Sequence, residues 1–144
     1  NVDDVVVPIV KTSEAAAKEF SEPVALIFID GAHEYEFVKQ DFNLWFPKLL
    51  EEGVICFHDT IGWSGPKKFV SQFVYRSKHF KNVNFCDSIT YATKVKQNSL
   101  FDRLRNRYAL LIKNIYKISY QLSNKFKIPK PIKSVGKKFI NYIH

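Results

Sequence analysis

The chain is poor in the residues that mark many small specialised proteins: in 144 residues it has no methionine, two cysteines, five glycines and six prolines. Two cysteines cannot build a disulfide framework or a cysteine-ligated metal cluster. Cys56 also lies inside an apolar run, so both read as thiols of a reducing compartment. No apolar stretch approaches the roughly 20 residues needed to cross a bilayer, and no signal-peptide pattern opens the chain. The expected location is therefore the cytoplasm. The missing methionine bears on where the chain starts. A translated frame opens on methionine, yet Asn1 stands first, and the strand-like residues 5–10 (VVVPIV) have nothing before them to pair with. The expectation is a chain that begins within a longer protein. Repeats and low-complexity tracts are also lacking.

Acidic residues are nearly absent from one end. Residues 1–95 carry ten Lys/Arg against thirteen Asp/Glu, a net charge of −3, whereas residues 96–144 carry twelve against one, a net of +11; together they give +8. With 46% hydrophobic residues the chain can bury one core. The charge break predicts a body over 1–95 and a basic tail over 96–144, with Ser99 capping a helix. In the tail, Leu100, Leu104, Tyr108, Leu111, Ile115, Ile118, Leu122 and Phe126 keep a helical apolar stripe until Pro129 and Pro131, and a short segment over 135–143 follows.

In the body, residues 24–29 (VALIFI) and 54–57 (VICF) read as apolar strands, the first closed by Asp30-Gly31 and the second by His58-Asp59. Between them Tyr35, Val38, Phe42, Trp45, Phe46 and Leu49 recur at three- and four-residue steps, which predicts an amphipathic helix facing the core. Gly53 is expected in a left-handed conformation after it. Strand, crossover helix and strand form a β-α-β unit, so Asp30 and His58-Asp59 should meet at the carboxyl edge of a parallel pair, where open α/β sheets bind ligands. Elsewhere, residues 5–10 read as a strand, 15–20 as a short helix capped by Thr12 or Ser13, and 67–77 as a helix begun at Pro66. Residues 82–86 and 89–93 read as an antiparallel pair about Asp87-Ser88. The sum is about five strands and three helices in a partial α/β sheet.

Asp30, His58 and Asp59 supply two carboxylates and an imidazole, a set able to hold a divalent cation with positions left for substrate oxygens. His33, three residues beyond Asp30, is placed to exchange a proton near neutral pH. Trp63, in the loop after His58-Asp59, reads equally as a wall for substrate and as loop packing.

These residues, IDGAHEYEFVKQDFNLWFPKLLEEGVICFHDT over 29–60, resemble the second half of the class I S-adenosylmethionine-dependent methyltransferase fold. The likeness is to the group with an IDG-x-H-x-Y signature and a closing FHDT, related to metal-dependent sugar O-methyltransferases, and it runs from about Val5 to Lys94. It implies a Rossmann-like sheet, mostly parallel with its last strand (ITYATK) antiparallel, followed by a basic helical extension. It implies magnesium or another divalent cation at Asp30, His58 and Asp59, with His58 standing where the family has an acid. It further implies His33 as the base, Thr12, Ser13 and Glu14 against the adenine, and Asp30-Gly31 at the methionine end of the cofactor. The family's glycine-rich first loop and ribose-gripping acid have no counterpart, since the glycines fall at 31, 53, 62, 65 and 136.

The implied activity is O-methylation of a sugar, glycan precursor or other small hydroxyl compound. Two rivals stand beside it. The basic tail could bind an anionic membrane at its inner face, or pack on its own sheet or another copy in a homo-oligomer. The Asp/His edge could instead serve metal-assisted hydrolysis. Nucleic acid is not expected, because basic charge without a recognised motif is not specific.

Overall fold

The computed structural model describes residues 4–126. Pro129, Pro131 and residues 135–143 lie outside that span. Helix α1 (Ser13–Glu19) leads into strand β1 (Val24–Ile29). Helix α2 (Tyr35–Trp45) and a 3-10 turn (Phe46–Lys48) lead into β2 (Leu49–Phe57). Helix α3 (Ser64–Phe69) continues as a π-helical turn (Val70–Val74), and β3 (Phe80–Cys86), β4 (Ile89–Lys94) and α4 (Leu100–Lys125) follow. The sheet order is β1-β2-β4-β3; β1 and β2 are parallel, and β4 runs antiparallel to both its neighbours. Three strands thus share a direction and the last is reversed, as the sequence predicts.

One face of the sheet is packed. Ile27, Ile29, Ile55, Phe57 and Ala92 are buried beneath Val38 of α2 and Phe69, Val70 and Val74 of the third helical segment. Phe42 and Phe46 join them as core, with Phe42 5.2 Å from Phe69 and Phe46 5.3 Å from Phe80, ring centre to ring centre. On β1 the alternate residues Leu26 and Phe28 remain exposed.

Three expectations are corrected. Residues 5–10 form no strand; Pro8 has no N–H for a ladder, and Lys11 N–H bonds back to Ile9 carbonyl in a tight turn at 3.0 Å, so the described residues form four strands. The apolar periodicity of α2 runs to Leu49, but Pro47 cannot continue an α-helix. The chain tightens there into the 3-10 turn, and Leu49 already belongs to β2. Gly53 is not left-handed; Glu52 takes that conformation at φ 65°, where β1–β2 pairing jumps from Val24↔Leu49 to Leu26↔Val54. Gly53 is required by close approach instead, because a Cβ there would sit 2.7 Å from the Leu49 side chain and 2.8 Å from the Leu50 carbonyl.

Ser99 caps α4 as expected, its hydroxyl accepting from the Asp102 N–H. The inner face of α4 is polar where it meets the sheet: Asn106, Ala109, Lys113 and Tyr116 are buried, while Leu104, Tyr108, Leu111, Ile115 and Ile118 face outward. The apolar stripe therefore does not pack on the chain's own sheet. Among the described residues no helix is long and apolar enough to cross a membrane.

Candidate active site

The sheet itself aims the central residues. His58 N–H donates to the Ile29 carbonyl at 3.0 Å, extending the parallel pairing one residue past β2, so Asp30 and His58 leave the sheet side by side. Asp59 then turns left-handed, at φ 55°, a conformation that costs most side chains about 1–2 kcal/mol and that Asp tolerates better. Thr60 anchors this turn. It is fully buried, and both its N–H and its hydroxyl donate to the Ser88 carbonyl at 2.8 Å. Its Oγ1 also lies 2.8 Å from the Thr90 hydroxyl.

The turn brings Asp59 to His33: Oδ2 lies 2.9 Å from His33 Nε2. An ionised carboxylate only accepts, so the neutral tautomer that fits this contact carries its proton on Nε2 and its lone pair on Nδ1, and Nε2 could bind a cation only in place of this hydrogen bond. Trp63 covers the imidazole face, ring centres 4.2 Å apart and planes 9° from parallel. Gly65 locks the two loops together, since a Cβ at Gly65 would lie 2.1 Å from the His33 carbonyl oxygen. Trp63 thus packs on His33 within the loop, and Gly65 reads in sequence only as a loop glycine.

His58 Nδ1 lies 3.1 Å from Asp30 Oδ1 and 3.2 Å from Asp59 Oδ2, within ion-pair distance. The angles do not make a hydrogen bond, and the nitrogen is buried without a partner. One donor atom each of Asp30, His33 and Asp59 lie within 4.8 Å of one another. A cation with ligand bonds of about 2.1 Å spans ligands roughly 4.2 Å apart, so closure by a few tenths of an ångström would seat one, with the orphaned His58 nitrogen beside it. The donor set fits a divalent cation.

The residues expected to touch a cofactor divide into two groups. Ser13, Asp30 and Gly31 line a cleft of about 690 Å³ along β1, walled by Leu26, Phe28 and Trp45, a volume that suits a nucleoside-sized ligand. Asp41 of α2 lines it too. Thr12 and Glu14 have other work: Thr12 Oγ1 caps α1 by accepting from Ala15 N–H at 3.2 Å, and Glu14 pairs with Lys18 at 2.7 Å. Ser13 Oγ accepts the Trp45 indole N–H at 2.9 Å, tying α1 to α2.

Residues 1–60, which contain Asp30, His33, His58 and Asp59, match a family model described as a methyltransferase domain. The match supports methyltransferase function in general terms. A segment of 37 residues is 51% identical to uncharacterized protein y4gI of Sinorhizobium fredii (strain NBRC 101917 / NGR234); it covers 26% of this chain and 4% of that protein.

Proposed function

We propose that this chain is part of an S-adenosylmethionine-dependent methyltransferase that methylates a hydroxyl group of a sugar or another small acceptor. The observation that carries the reading is the convergence of Asp30, His33 and Asp59 at the ends of β1 and β2, inside the stretch that matches the methyltransferase domain. The cleft along β1, with its apolar Leu26 and Phe28 and its polar end at Asp30-Gly31, is a cradle of suitable size for the methyl donor.

When bound, the cofactor supplies a methyl group made electrophilic by its sulfonium. His33 holds its Nδ1 lone pair ready to take the acceptor hydroxyl proton, and Asp59 compensates the imidazolium that results. Stacking on Trp63 keeps the ring from swinging away. A divalent cation held by Asp30 and Asp59 would supply charge neutralisation beside the acceptor oxygen. The remaining rate comes from holding the acceptor in line, which is positioning rather than covalent chemistry.

The test is transfer of labelled methyl from S-adenosylmethionine to a panel of sugars and glycan precursors by the protein and by its Asp59→Asn variant. Asp59→Asn can no longer compensate an imidazolium and should lower the rate by about 10²–10⁴-fold. Label transfer to acceptor nitrogen or carbon alone, or an unimpaired variant, would sink the hydroxyl-activation reading.

A further inference from the structure

Away from that centre, α3, the π-helical turn and α4 line a second, open concavity of about 520 Å³. Lys67, Lys68, Arg76 and Lys117 line it together with Ser64 and Ser71, and its lining includes no carboxylate. Lys67 and Lys117 come from different helical elements and are half-buried. They approach closely enough that Lys117 is the largest influence holding the Lys67 ammonium below its ordinary pKa, with burial next. The ion pairs formed by lysines among the described residues involve Lys11, Lys18 and Lys81, none of which reaches this cavity. Lys68 instead lies over the Tyr35 ring at 4.7 Å. Packing like charges without a neutralising acid disfavours the charged forms, and an anion brought from outside would relieve it.

We infer that this cavity binds the phosphate or diphosphate group of a soluble ligand. Four cations around one concavity exceed the charge of a single phosphate dianion and come closer to balancing a diphosphate, and the Ser64 hydroxyl adds a polar contact of the kind phosphate oxygens take. Ser71 Oγ already donates to the Lys67 carbonyl at 2.8 Å, so its hydroxyl fixes the helix while the cations bind. Gly62, on the rim, lies next to Trp63, so a ligand held here would extend toward the His33 loop. The site rests on none of the Asp30, His33 or Asp59 chemistry and stands whether or not methyl transfer does.

Titration of inorganic pyrophosphate against the protein, followed by amide resonances, tests it. Saturable shifts should concentrate at residues 62–72 and at Lys117. The Lys67→Gln/Lys117→Gln double variant should bind at least tenfold more weakly, and Lys18→Gln, remote from the cavity, should bind as the parent does. A second arm uses phosphatidylcholine vesicles with and without phosphatidic acid to separate a lipid headgroup from a free phosphate. No saturation, full affinity in the double variant, or a response to phosphatidic acid vesicles without one to pyrophosphate would overturn the inference.

Discussion

The imidazole of His33 owes its place to three contacts that no single motif encodes. Asp59 grips one nitrogen, Trp63 covers one face and Gly65 presses on its backbone. That Asp30, His33, His58 and Asp59 come together is legible in sequence because strand ends and the crossover between them are legible. Gly65 is not, since its requirement arises from a loop 32 residues away in the chain. A methyl group at Gly65 must displace the His33 carbonyl. Gly65→Ala should therefore cost about 1–3 kcal/mol, as overpacking does, and should loosen the His33–Trp63 stack. Urea unfolding would measure the first and Trp63 fluorescence the second; an unchanged midpoint with unchanged fluorescence would show that the loops do not press on each other. Thr12 and Glu14 illustrate the opposite limit, because capping and i,i+4 pairing use the same residue types as ligand contacts.

Among the elements, the β-α-β unit follows from periodicity, while the irregularities follow from contacts that sequence does not display. In β3 pairing slips between Lys81 and Asn84, and Asn82 turns left-handed at φ 51°. The slip frees backbone groups that Asn106 of α4 satisfies: its Oδ1 accepts from Val83 N–H at 3.1 Å and its Nδ2 donates to the Phe80 carbonyl at 2.9 Å. A polar residue on the inward face of α4 reads in sequence as solvated, so the apolar stripe looks like the packing face when it is the outer one. Asn106→Leu strands the buried Val83 N–H, at about 1–3 kcal/mol, while the Phe80 carbonyl keeps the Asn98 Nδ2 at 2.7 Å. Asn106→Asp keeps the acceptor for Val83 and should lose less. Equal stability of all three proteins in urea would mean that α4 does not seal the bulge.

At the scale of the whole molecule, the buried charge of Lys113 sets a pH dependence. Its Nζ donates to Thr90 Oγ1 at 2.6 Å, joining the Thr60–Ser88 network, and burial pulls its pKa down to about 7, assisted by the charge of Lys67. In the unfolded chain a lysine holds its proton to about pH 10.4. Between those values the unfolded state binds more protons, so stability rises with pH, by up to about 1.4 kcal/mol per unit. Below pH 7 both states are charged and the burial cost is fully present. Lys113→Met should gain about 1–2 kcal/mol at pH 7 and lose the rise in stability between pH 7 and 9; a slope identical to the parent's would assign the titration to another group. Charge and apolar pattern are fully legible in composition; which side of α4 they face is not, because that depends on the sheet it meets. The account as a whole turns on whether a methyl donor occupies the cleft along β1, and saturation-transfer NMR with S-adenosylmethionine reads even weak occupancy. The prediction is transfer from protein to the methionine and adenosine protons, reduced at least fivefold in Asp30→Ala; no transfer, or transfer untouched by that substitution, would contradict it.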